Sequence, residues 1–245
     1  MEEKKYDFPT ETVELPSKGL IYPKDNPLSS GKIEMRYMTA YHEDILTNQN
    51  YIKQGIVLDK LIQALIVSNV NYDDLIVGDR NAILISARIL AYGKDYTFLY
   101  KDEEITVDLS ELELKYLDEK DITPGINQFH FQLPHTNTSI TYKLLTNEDE
   151  RKIDNEIKGI KKIHKTASPE LSTRLKYLIT SVNGDSDTKT IREFVDKHML
   201  ARDSRALREH IKNTQPDILL TFNNGTEEGT VPITAGFFWP DSGIS

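Results

Sequence analysis

The hydrophobic period switches repeatedly along this chain between two residues and about 3.6 residues, and no block of either period is long. That switching confines the fold to short strands mixed with helices. "KIEMRYMTA" puts Ile33, Met35 and Tyr37 on one side and Glu34 and Arg36 on the other, the alternation of a strand, and "AYHEDILTN" reads as a short helix after it. In "GIVLDKLIQALIV", Leu58, Leu61, Ile62, Leu65 and Ile66 form one helical stripe. "GDRNAILISARILAYG" reads as a helix capped by Asp79 and stopped by Gly93, with Ile83, Leu84, Ala87, Leu90 and Ala91 on its buried face. "YTFLY" and "EITVDLS" then flank "KDEE" as a hairpin, and "NQFHFQLPH" and "TSITYKLLT" flank "TNT" as a second.

From residue 147 the helical period returns. "NEDERKIDNEIKGIKKIHK" opens with acids, which suit a helix N-terminus. Ser168-Pro169-Glu170 reads as a helix start and Thr190-x-x-Glu193 as a capping box. Helices near 169–181, 188–198 and 203–213 follow, joined by short polar links that imply packed neighbours. Pro216 ends the helical run, and "DILLTF" and "GTVPITAG" flank "NNGTEE" as a last hairpin before "FFWP". The class expected is α+β: β-hairpins combined with helix pairs, a C-terminal helical cluster and a final β-hairpin. The expected division is an N-terminal α+β region over 1–145 with two hairpins, and a C-terminal helical region over 146–245 ending in a hairpin and an aromatic tail.

Composition narrows the function. The net charge of −9, from 39 acidic and 30 basic side chains, argues against broad nucleic-acid or anionic-membrane binding, which needs a basic footprint. There is no cysteine, so disulfides and thiolate metal sites are excluded and a cytoplasmic setting is expected. "MEEKKYDFPTETVE" has no apolar core of signal-peptide length, and the apolar tracts near 56–67 and 82–91 are too short to span a bilayer, so no membrane partner is expected.

Motifs for an enzyme are missing: no GxxxxGK[ST], no GxGxxG after a strand, no GxSxG and no HExxH. The histidines at 42, 130, 135, 164, 198 and 210 are scattered, and the spacing of His130 and His135 is not that of a metal-ligand motif. No catalytic residue, cofactor or metal is therefore expected. Three features suggest contact instead. Lys158, Lys162 and Lys165 share a helix face that can serve an acidic partner or lie in solvent. Arg202, Arg205 and Arg208 recur along one helix edge and can hold carboxylates of a partner or of this chain, with Leu207 and Ile211 as that helix's core contact. Phe237, Phe238, Trp239 and Pro240 either staple the terminus to the core or form an interface. Strand alternation would put one Phe beneath the hairpin, against the helix carrying Leu207 and Ile211, and the other nearer the surface with Trp239 and Pro240.

The order of "SVNG", "RDSRALREHI", "PDI", a hairpin and "FFWP" resembles that of a family of small baseplate hub assembly proteins, or chaperones, of T-even-type and related contractile-tailed phages. "ELPSKGLIYP", "GKIEMRYMTAYHEDILTN", "YTFLY…VDLSEL" and "FHFQLP…ITYKLLTNEDE" extend the resemblance over nearly the whole chain. The resemblance implies a non-enzymatic protein acting in the host cytoplasm, through protein contacts, in assembly of the baseplate hub. Hub or tape-measure proteins would be its partners. It equally implies a structural baseplate component retained in the virion tail. Many members of that family carry Cys-x-x-Cys-like pairs in the turns near 98–103 and 222–227. Here those turns read "FLYKDE" and "FNNGTE", so no zinc role carries over and turn residues such as Asn224 and Gly225 are expected to hold them. A reading of another class is a nucleic-acid-binding regulator using the Lys158–Lys165 patch, against which the net charge counts. The sequence leaves the oligomeric state open.

Overall fold

Two short strands open the fold, β1 (Thr10–Glu14) and β2 (Lys32–Arg36), paired antiparallel with Val13 opposite Ile33. Ile33 and Met35 are buried while Lys32, Glu34 and Arg36 are exposed, as strand alternation requires. In this computed structural model residues 9–163, 169–223, 225, 227–233 and 237–238 are described, the side chain of Asp121 apart. The loop between the two strands folds tightly on itself. Gly19 adopts φ +76°, and a Cβ there would lie 2.4 Å from the Ser29 carbonyl oxygen, so only glycine fits.

Four helices follow: α1 (Ala40–Leu46), α2 (Gln49–Gln54), α3 (Val57–Leu65) and α4 (Val77–Tyr92). Asn48 starts α2 by accepting the Asn50 and Tyr51 amides. The stripe of α3 is as expected, with Leu61, Ile62 and Leu65 buried. Helix α4 is buried more widely than one stripe. Ala82, Ile83, Ile85, Ala87 and Arg88 are all inside, whereas Leu84, Leu90 and Ala91 are half-buried. Its cap position belongs to Ile76, not Asp79. Asp79 is instead fully buried in the first turn, where its carboxylate accepts the Ser17 amide (2.9 Å), the Ser17 hydroxyl (2.7 Å) and the Tyr22 hydroxyl (2.6 Å). The start of α4 is thus tied to the loop that leaves β1.

The first hairpin is β3 (Asp95–Tyr100) with β4 (Glu103–Asp108), joined by Lys101 and Asp102, both at positive φ. That is the conformation of a two-residue hairpin turn whose twist matches its strands. After β5 (Leu114–Lys115) come β6 (Phe129–Gln132) and β7 (Ser139–Tyr142), the second expected hairpin. Helix α5 (Asn147–Ile163) follows, then α6 (Glu170–Leu178). Ser168, the expected cap, lies outside the described residues. Helix α6 ends three residues before 181, and Ile179–Val182 turns extended as β8, which joins β7 to make a three-stranded sheet. Helix α7 (Thr188–Glu193) is capped by Asp187, not by Thr190: its carboxylate accepts the Lys189 and Thr190 amides. After a wider turn at Phe194–His198 comes α8 (Ala201–Thr214).

Strand β9 (Asp217–Ile218) pairs back with β5, and β10 (Thr221–Asn223) with β11 (Glu228–Thr230) forms the last hairpin. The class is α+β, with small antiparallel sheets of two or three strands among the helices. Elements on either side of residue 145 interleave, since β8 completes the β6–β7 sheet and β9 pairs with β5. One contiguous core runs from Val13 to Phe238. Each fully buried Leu, Ile or Phe in it stabilises the fold by about 1.5–3 kcal/mol over an exposed position.

Both aromatic residues at 237 and 238 belong to that core. Phe237 is 0% exposed and Phe238 1%, so neither lies near the surface. They sit in a turn rather than a strand, which is why alternation does not separate them. Phe237 packs edge-on against Tyr96 at 4.9 Å and against Phe238 at 5.2 Å. The ring contacts of Phe237 are therefore with β3 and with Arg88 of α4, within the same core that holds Leu207 and Ile211 of α8. Trp239 and Pro240 lie outside the described residues.

The turns of the first and last hairpins meet. Phe222 is wedged between Phe98 (5.3 Å) and Tyr100 (5.1 Å), and Lys101 bonds both carboxylate oxygens of Glu227 at 2.8 and 2.5 Å. Gly225 donates its amide to the Asn223 side chain at 2.7 Å, and Asn224 lies outside the described residues. An aromatic wedge and an exposed ion pair join these turns.

Candidate functional site

A cleft of about 810 Å³ is bounded by α2, α3, α4 and α5. Its back wall forms because α4 and α5 start side by side. The Val77 amide bonds the Leu145 carbonyl (3.1 Å), the Asn147 amide bonds the Leu75 carbonyl (2.9 Å), and Ile76 bridges Thr146. The Asn147 side chain adds a 2.8 Å bond to the Tyr72 carbonyl, fixing the short 3-10 segment Tyr72–Asp74 beside α5. Ile153 and Ile157 pull one face of α5 into the protein. Its positions 147, 151, 154 and 158 then fall together along the cleft.

Six cationic side chains line this cleft against four carboxylates. Two of the cations are committed. Arg151 holds Asp73 with paired bonds of 2.7 and 2.8 Å, and Arg174 holds Glu150 with 2.6 and 2.8 Å. These forks fix the wall and cancel their own charge. Asp59 accepts the Tyr72 hydroxyl at 2.6 Å, and burial together with this carboxylate pushes the Tyr72 phenol well above its usual range. The side chains of Lys53, Lys60, Arg80 and Lys158 make no hydrogen bond or ion pair with any described residue. Arg80 is half-buried, whereas the three lysines are exposed. Asp154 is the one cleft carboxylate with no such bond among the described residues. The half-buried Ile56, Val57, Leu58 and Leu84 give the cleft apolar contact area.

Of the lysine face expected from the sequence, Lys158 lines the cleft. Lys162 is exposed further along α5, and Lys165 lies outside the described residues. Lys161, beside them, is paired with Glu170 at 3.1 Å. Arg202, Arg205 and Arg208 are all exposed on α8. Arg205 reaches Glu209 of its own helix at 2.9 Å, Arg208 bonds the Ser204 carbonyl at 3.3 Å, and Arg202 has no partner among the described residues. The inner side of α8 carries Leu207 and Ile211, as expected, with Asp203. Asp203 accepts the amides of His135 (2.9 Å) and Thr136 (3.1 Å), docking α8 on the turn of the β6–β7 hairpin. Burial works to raise its carboxyl, but those amides hold it below the usual range.

Sequence reading did not single out Lys53, Lys60, Arg80, Arg151 or Arg174. Their only local signal is the spacing of Arg151 and Lys158 on the polar side of α5, which looks like any solvated helix face. No group of three or more His, Asp or Glu residues is placed to hold a metal ion among the described residues, and none of their helices is long and apolar enough to cross a membrane. What the cleft offers chemically is N–H donors and positive charge beside apolar side chains. Comparison with protein-family models, with curated proteins and with solved structures gives no match for this chain.

Proposed function

We propose that this chain is an assembly factor for the baseplate hub of a contractile phage tail, working through protein contacts rather than through chemistry on a substrate. The motif order described above supports the reading. The observation that carries it is a local excess of unpaired cations on an acidic chain. Against a net charge of −9, four cations of the cleft, and Arg202 and Arg208 on the outer edge of α8, have no acidic partner among the described residues, while Arg205 is paired with Glu209. Such surfaces steer and hold acidic protein partners. Hub or tape-measure proteins are the partners this reading names, and the host cytoplasm is where the contact would form.

The test is affinity capture of the tagged chain from infected cells, with mass spectrometry of tail intermediates beside mature particles. Hub or tape-measure proteins should co-purify. Presence in intermediates alone marks a chaperone, and presence in both marks a retained baseplate component. Recovery of no tail protein would remove the reading.

A further inference from the structure

We infer that the cleft between α3, α4 and α5 is the docking site for an acidic polypeptide segment that also carries apolar side chains. The inference rests on the protein-contact reading above and adds the place and chemistry of one contact. Arg80 is the central observation. Arg80 is half-buried as a residue and lines the cleft, and no described residue accepts a hydrogen bond from its guanidinium. A guanidinium with all its donors free at the wall of a concavity can fork onto a carboxylate that arrives from outside. Lys53, Lys60 and Lys158 stand around the same concavity without carboxylate partners among the described residues. The neighbouring arginines cannot serve as freely, because each is already forked onto Asp73 or Glu150.

The same wall decides between kinds of anion. Asp154 and the paired Asp73, Glu150 and Asp59 place four carboxylates in the cleft, and a nucleic-acid strand with a charge at every phosphate would run against them. A polypeptide can set its carboxylates opposite Arg80 and the lysines and leave Asp154 facing a neutral or basic residue. Ile56, Val57, Leu58 and Leu84 give its apolar side chains a surface, which a sugar-phosphate backbone would not use. No bond of the chain is made or broken in this docking.

The experiment uses the full chain and a fluorescein-labelled dodecapeptide of Glu and Leu at helical spacing. The same peptide with Lys for Glu, and an oligothymidylate, serve as competing probes. The acidic peptide should bind, weaken with added salt, and weaken at least about tenfold in the double variant Arg80→Glu/Lys158→Glu. Lys189→Glu, on α7 and outside both surfaces, should bind as the parent does. Carbodiimide, which joins carboxylates to amines, should couple the peptide to Lys53, Lys60 or Lys158. Both variants should melt with the parent, since none of the Arg80, Lys158 and Lys189 side chains bonds another described residue. Equal binding by the double variant, coupling elsewhere, no binding of the acidic peptide, or tighter binding of the oligonucleotide through the same residues would each overturn the inference. If the double variant still captures tail proteins from infected cells, the cleft is not the contact although the assembly role stands. If the parent captures none, the assembly role fails whatever the peptide does.

Discussion

Asp79 should make this protein lose stability as the medium turns from acid to neutral, the reverse of the usual carboxylate effect. Its side chain is 0% exposed and no cation bonds it. Burial raises its carboxyl from 3.8 to about 6, despite three donors from Ser17 and Tyr22 that pull the other way, with the Asp217 charge adding to the rise. A group with a raised folded value is protonated in the native state while the unfolded chain has already ionised. Its contribution is therefore complete below about pH 4 and declines until the pH passes about 6. The shift of about two units corresponds to roughly 3 kcal/mol. Urea unfolding at a series of pH values, for the parent and for Asp79→Asn, isolates this effect, because the other carboxylates titrate alike in both. The stability of the parent minus that of the variant should fall by about 2 kcal/mol between pH 4 and pH 7, the rest of the change lying outside that window. The fixed offset from the amide's altered hydrogen bonds does not enter that slope. A flat difference, or one that grows with pH, would refute the reasoning that desolvation outweighs the three hydrogen bonds.

Other perturbations test the packing. Gly78→Ala would put a Cβ 1.9 Å from the carbonyl oxygen of Pro216, a backbone atom, so α4 must move from β9. Thermal unfolding should show a loss of about 1–3 kcal/mol. Phe237→Ala should cost about 3–5 kcal/mol in the same measurement, since the ring is fully buried against Tyr96 and Phe238. Replacing Arg202, Arg205 and Arg208 together by Ala should leave the melting temperature unchanged while weakening capture of tail proteins. A melting loss comparable to that of Phe237→Ala would place those arginines in the fold rather than at an interface.

Local pattern was enough for much of the architecture. The stripe of α3, the hairpins β3–β4 and β6–β7, and the inward pair Leu207 and Ile211 all follow from period and turn chemistry. Where the pattern was degenerate it misled. Leu175, Leu178, Ile179 and Val182 lie at helical spacing, so a helix to 181 absorbed β8, and only the β-branched Ile179-Thr180 and Val182 hinted otherwise. Asp79 looked like a cap because its true partners stand 62 and 57 residues earlier in the chain. The cleft was hidden for the same reason. Positions 53, 60, 80, 151, 158 and 174 share no local motif, and only the stitching of the α4 and α5 starts brings them together.

Consider the first hairpin during synthesis. Tyr96 gives its hydroxyl to the carbonyl of Pro232, 136 residues further on, and it is Phe222 and Phe237 that cover the greasy side of β3. At about 5–20 residues per second, the ribosome needs on the order of ten seconds to deliver those partners. Through that interval the nascent hairpin carries an uncovered aromatic face. The chain's own last segment is what closes it, so a product halted before residue 217 would emerge with the stickiness that the finished protein hides.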